Sequence, residues 1–128
     1  MKHKIYTTYI SKLKSLNFPE NAVKVLIMRM PPYSLKKDDF FHCPDLGPST
    51  EALIKYKKDN DWDSFKAAYE EKMDNDPKMK KLIDDMIEAL DFSNDIYLIC
   101  CEKDYEHCHR WLLANRLKSI GGYEIREL

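Results

Sequence analysis

A chain of 128 residues with 44% hydrophobic content is long enough for one domain around one core, burying roughly two thirds of the surface its unfolded form exposes. Its 21 basic and 22 acidic side chains are mixed along the sequence and leave a net charge of -1, which excludes a global field that would draw in nucleic acid or acidic lipid. No stretch approaches the ~20 apolar residues of a membrane span.

Met1-Lys2-His3-Lys4 leads into a strand-like run and not the apolar core of a signal peptide, so a cytoplasmic location is expected, without membrane partners. In that reducing compartment Cys43, Cys100, Cys101 and Cys108 read as thiols or ligands in preference to bridges.

Ile5 to Ile10 is β-branched and aromatic, the composition of a strand. Ser11 to Asn17 carries Leu13 and Leu16 three apart, enough for at most two helical turns before Pro19. Val23 to Met30 reads as a second buried strand, stopped by Pro31 and Pro32, and it would put Arg29 at a strand end. Pro31 to Pro48 has four prolines, one glycine and no helical period. So long a segment is either a lid over a binding site or an extended stretch whose Phe40 and Phe41 plug the core edge.

Three helices follow. Ser49 to Lys58 starts after Pro48; the next opens at Asp61 and spaces Trp62, Phe65, Tyr69 and Met73 three and four apart; the third opens at Asp76 with Pro77 in the first helical position. Met79, Leu82, Ile83, Met86, Ile87 and Leu90 form a full amphipathic stripe on that third helix and read as core.

Ile96 to Cys101 is a run of six apolar residues, too short to be a spanning helix and suited to a central strand covered on both faces. Adjacent Cys100 and Cys101 would point to opposite faces and could share one site only if the strand ended between them. The helix after it is expected to start with Asp104 as N-cap and to stop at Gly121-Gly122, with Cys108 about one turn in and His109, Leu113, Leu117 and Ile120 facing the core. Tyr123 to Leu128 reads as a short edge strand. The expected fold is a single α/β domain over 1–128, with a mainly parallel sheet of about four strands flanked by helices.

Reactive side chains concentrate where the central strand passes into its helix, the place where open α/β sheets bind ligands. The stretch C-C-E-K-D-Y-E-H-C-H-R resembles the signature of the domain of unknown function 488 family, in which Cys-x-Glu at a strand end precedes Cys-His-Arg at a helix start. Cys100, Glu102, Cys108, His109 and Arg110 carry the match. L-I-M-R-M-P-P-Y-S is similar to the family's Asp-x-Arg-x-x-Pro-x-Ser stretch at Arg29, Pro32 and Ser34, with Ile27 where the family commonly has aspartate. Tyr6, Thr7 and Ser11 match its first strand and the serine after it. The resemblance implies a fold and a site and leaves the reaction open.

Three chemistries fit the cluster. Cys108 near a helix start, beside His109 and Arg110, suits an activated thiolate, with Glu102 as general base or as the group that orients His109; the bland alternative is a buried structural cysteine. Arg29 and Arg110, with Ser34 and Ser11 nearby, suit a small anionic or phosphate-bearing ligand; the bland alternative pairs Arg110 with Glu106 four residues earlier. The cysteines with His107, His109 and His42 could supply metal ligands, but no spacing matches a structural knuckle, and neither a metal nor a cofactor is assigned. Nucleic acid, stacking on Tyr6, Tyr9, Tyr33 or Trp111, is the least supported partner, because no basic stripe accompanies the rings. Whether the cleft is catalytic or only binds stays open at this point.

Overall fold

Short runs of apolar, β-branched residues alternate with longer amphipathic segments, and they build five strands and four α-helices in the computed structural model, which describes residues 3–30 and 40–128. The strands are β1 (Ile5–Tyr9), β2 (Val23–Leu26), β3 (Phe41–His42), β4 (Ile96–Cys100) and β5 (Ile125–Glu127); the helices are α1 (Thr50–Asp59), α2 (Trp62–Asn75), α3 (Pro77–Phe92) and α4 (His109–Gly121). The sheet runs β3-β2-β4-β1-β5, and every pairing is parallel. All five residues of β4 are buried, as a strand at the centre of a parallel sheet requires.

The sheet has five strands where about four were expected. The extra one, β3, lies in the proline-rich stretch and is only two residues long, so it carries no alternation to read. Cys43 N–H donates to the Leu26 carbonyl just beyond it, and Leu46, Gly47 and Pro48 are buried. The described half of that stretch is thus part of the sheet edge and core, with Phe40 half-buried against the core and Phe41 exposed.

The second strand ends at Leu26, four residues earlier than its apolar run. Ile27 N–H still donates to the Ile99 carbonyl at 3.0 Å, but the carbonyls of Ile27 and Met28 are taken by the side chains of His109 and His42 instead of a neighbouring strand. Burial alone kept the run apolar: Ile27 and Met28 are core residues without being strand residues.

The core follows the helical stripes. Met79, Ile83, Met86 and Leu90 of α3 are buried, Leu82 and Ile87 are half-buried, and Phe65, Tyr69 and Met73 of α2 pack the same layer. Asp61 and Asp76 cap α2 and α3 as their sequence predicts, each side chain accepting a backbone N–H of the first turn. On α4, His109, Leu113 and Leu117 face inward, but Ile120, in the last turn, is exposed. Among the described residues no helix is long and apolar enough to cross a membrane.

Two stability measurements check this packing. Ile83→Ala is expected to cost on the order of 2–5 kcal/mol in denaturant titration, through lost burial and a residual cavity; a cost near zero would mean the stripe does not pack. At Gly121 an added Cβ would lie 2.3 Å from the ring of Tyr123, itself buried and donating its hydroxyl to Asp91 at 2.7 Å. Gly121→Ala is therefore expected to lose about 1–3 kcal/mol although alanine is the better helix former.

Candidate functional site

The C-terminal ends of β2 and β4, the start of α4, and α1 and α2 surround a cleft of about 270 Å³. Met28, Leu53, Tyr56 and Phe65 give it apolar walls, Cys100, Cys101 and Cys108 line it with sulfur, and Arg29, Lys57 and Glu102 bring charge to it. Both adjacent cysteines reach it because β4 ends at Cys100; Cys101 lies past the strand and is exposed. The covered strand expected over Ile96 to Cys101 thus stops one residue short, and Cys101 is outside it.

Asp104 does not start the long helix. It caps a single 3-10 turn, Tyr105–His107, after which Cys108 is extended (φ -135°, ψ 144°) and stands as N-cap residue of α4. Cys108 is therefore at the helix end itself and not one turn inside, where unpaired backbone N–H groups and the positive end of the helix dipole are closest to its sulfur.

His109 is buried, and its Nε2 donates to the Ile27 carbonyl at 2.8 Å, with the Tyr69 ring tilted against it at 5.5 Å between centroids. That bond fixes the ring. Cys108 is pulled well below the ordinary thiol range, to about 4: the Cys100 thiol donates to it, burial works in the other direction, and His109 and the Arg110 backbone N–H add to the lowering. The Cys100 thiol moves upward for the complementary reason, since it donates to Cys108 and is itself buried. One proton shared by two thiols thus rests on Cys100. Cys101 and Cys43 are raised, in each case first by burial and then by a neighbouring carboxylate, Glu102 and Asp45 respectively.

Cys100, Cys108 and His109 form the one group among the described residues that could hold a metal ion, their ligand atoms lying within 4.8 Å of one another. The Cys100 sulfur is 3.6 Å from Nδ1 and 3.5 Å from Nε2 of His109. Near-equal distances put it over the face of the ring and off the lone-pair direction of either nitrogen, so a shared ion would require Cys100 to rotate.

Arg110 is fully buried and does not face the cleft. Its guanidinium forks onto Glu127, with Nε to Oε1 at 3.2 Å and Nη2 to Oε2 at 2.8 Å. It also donates through Nη1 to the Glu102 carbonyl and through Nη2 to the Lys103 carbonyl, and it lies over the Tyr9 ring. Thr7 Oγ1 completes the set by donating to Glu127 at 2.6 Å. Neither expectation for this arginine, an anion contact or a pair with Glu106, describes it. Burial opposes its charge, and the hydrogen bond and charge of Glu127 outweigh that and hold it protonated.

Arg29 is exposed at the cleft and donates to the Pro48 carbonyl at 3.3 Å. Glu102 is exposed at the same wall; its backbone carbonyl, not its carboxylate, carries its contact to Arg110, and His109 is oriented by Ile27 and not by Glu102. Ser11 sits exposed in the 3-10 segment Ile10–Ser15 after β1 and does not line the cleft. Ser34, with Pro32 and Tyr33, lies outside the described residues. Tyr6 stacks on Tyr97 at 4.7 Å and Trp111 meets Tyr105 edge-on at 4.9 Å, so both rings already have aromatic partners.

Two participants escape a reading of the sequence, and a third, His107, is legible there only as a possible metal ligand. Lys57 brings a second cation to the cleft, but it reads as the last turn of an ordinary helix. The Ile27 carbonyl that holds His109 has no residue identity to read. His107 lines the cleft with its Nδ1 2.7 Å from Asp104 Oδ2 and its ring edge-on to Trp62 at 5.3 Å; the Asp-x-x-His spacing was the available signal. That contact holds the Asp104 carboxyl below its ordinary range.

The family model described as the active DUF488-N3 subclade, DUF488-N3a, matches residues 8–121, a span that includes the whole of the cleft's described lining. No curated protein and no solved structure matches the chain.

The buried ion pair gives a direct test. Glu127→Ala would strand the Arg110 charge away from water and is expected to cost on the order of 3–5 kcal/mol in denaturant titration. A loss below about 1 kcal/mol, the size of an exposed pair, would show that the guanidinium finds water instead.

Proposed function

We propose, for a chain that belongs to the domain of unknown function 488 family in its active DUF488-N3 subclade, that it is a thiol-dependent enzyme in which Cys108 attacks a small substrate carrying an anionic group. The observation that carries this reading is the meeting of two buried sulfurs and His109 at the start of α4, their ligand atoms within 4.8 Å of one another, where contact with Cys100 lowers the Cys108 thiol and raises that of Cys100. A structural cysteine needs no such arrangement, whereas a nucleophile must be the thiolate. His109 contributes to the lowering of that thiol as its neighbour, while the Ile27 carbonyl keeps its ring from turning.

The anionic character of the substrate follows from Arg29 and Lys57 at the cleft. Glu102 adds a carboxylate on the same wall, available to a donor group on the substrate. Met28, Leu53 and Phe65 favour an apolar body between the charged end and the sulfur. Binding without turnover is the weaker reading, because Arg110, one of the two arginines on which it rested, is committed to Glu127. A phosphate of a nucleic acid is weaker still, for the same reason and because the chain has no basic stripe.

Brief alkylation with iodoacetamide at about pH 6, followed by peptide mapping, separates the four thiols. At that pH Cys108 is above its lowered pKa and charged, while Cys43, Cys100 and Cys101 are raised and remain thiols. Labelling is expected at Cys108 first despite its burial, with a rate that is nearly flat up to pH 8 and falls only as pH drops toward 4. Equal labelling of exposed Cys101 and Cys108 at pH 6 would remove the nucleophile reading.

A further inference from the structure

Covalent catalysis by a thiolate needs a second group. When Cys108 attacks an acyl-type carbon, the leaving group departs and a thioester remains; water must then add to that carbon, lose a proton and expel the thiolate. The thiolate has no proton to give or take in the second step, so an acid-base group must stand beside the thioester. Three side chains at the cleft have the chemistry: His109, Glu102 and His107.

His109 is already used. Its Nε2 proton goes to the Ile27 carbonyl at 2.8 Å, and the ring is already in contact with Cys100 and Cys108. It is also buried, away from the path by which water would come. Glu102 is exposed, and among the described residues no hydrogen bond or ion pair fixes the direction of its carboxylate.

His107 differs on each count. Asp104 holds Nδ1 at 2.7 Å, which fixes the tautomer with the proton on Nδ1 and leaves Nε2 as a proton acceptor. The ring is further held by Trp62, edge-on at 5.3 Å, and Trp62 is itself braced on Phe65 at 5.4 Å. Asp104 in turn is fixed, because its other oxygen accepts the Glu106 backbone N–H at 3.1 Å and so caps the 3-10 turn that carries His107. The carboxylate-imidazole pair is built into the turn next to the nucleophile.

Its position also suits water. The inner cleft, with Cys108, adjoins an outer groove of about 520 Å³ lined by Asn60, Trp62 and Asp104, among others. His107 lines both, and Cys108 lines only the inner one. His107, with Glu102, belongs to the wall that the groove and the cleft share, along which water can reach the thioester.

We infer that His107, oriented by Asp104, is the general base of the hydrolytic half-reaction, taking the proton of the attacking water at Nε2 while the Cys108 thiolate leaves. This inference rests on the thiolate reading above and adds a residue which that reading does not require. His107 would be the catalytic group and Asp104 its positioning residue.

The probe is p-nitrophenyl acetate, a model ester that separates the two halves. Acylation of Cys108 releases one equivalent of nitrophenolate as a burst, and hydrolysis of the thioester sets the steady rate that follows. His107→Gln is expected to leave the burst rate within about twofold and to lower the steady rate on the order of 10²-fold. Asp104→Asn should lower the same rate less, again without affecting the burst. Hydroxylamine, a nucleophile that needs little help from a base, should restore turnover in His107→Gln. The unchanged burst shows that each variant is folded around its nucleophile. A burst in the parent with an undiminished steady rate in His107→Gln would overturn the inference alone, and so would equal losses in both phases, which would put His107 on the thiolate. The absence of any Cys108-dependent burst in the parent would overturn the thiolate reading and this inference with it.

Discussion

The arrangement depends on one buried charge. Arg110 sits in the first turn of α4 with no exposure to water, and its donors are distributed over two separate parts of the chain: the carboxylate of β5, and the Glu102 and Lys103 carbonyls of the loop that leaves β4. A guanidinium suits this because its donors are fixed in one plane and stay charged at every relevant pH. Burial of the charge costs several kcal/mol, and only near-complete pairing offsets it. The consequence is positional. The loop between Cys101 and Cys108 is tied to the helix start and to the sheet edge, so Cys108 has a fixed place at the end of α4.

Given that place, the chemistry follows from proton positions. Cys100 closes the central strand and Cys108 opens the helix, so their sulfurs meet where the two elements join. Two buried thiols in contact cannot both ionise, and the helix end and His109 decide which one does. His109 works at this point because a backbone carbonyl holds it. The chain offers the Ile27 carbonyl to the histidine and buries the Ile27 side chain in the core. The orienting contact does not depend on a carboxylate at that position.

How much of this could be read from the residues depended on whether a feature was carried by side-chain identity. The central strand, its helix and the stripes of α2 and α3 were legible because burial forces apolar identity at a fixed period, and Cys-His-Arg marked the junction. β3 was hidden, because two residues among prolines carry no period. The ends of β2 and the start of α4 were misplaced for a related reason: Ile27 and Met28 are apolar from burial alone, and Asp104 is a good N-cap that happens to cap a 3-10 turn. Arg110 was read as an anion contact, with Glu106 at the helical spacing as the bland alternative, and its partner Glu127, 17 residues away on another element, left no local pattern to read. Backbone acceptors such as the Ile27 carbonyl leave no trace in a sequence at all.

The central claim is that one buried sulfur carries a negative charge at neutral pH. Ultraviolet thiolate absorbance followed by acid titration measures this directly, in the native protein and in Cys108→Ser. The account predicts one thiolate that persists down to about pH 4 in the native chain and is missing from Cys108→Ser. If both proteins show no thiolate until the alkaline range of an ordinary cysteine, the charge is not there and Cys108 is a packed thiol.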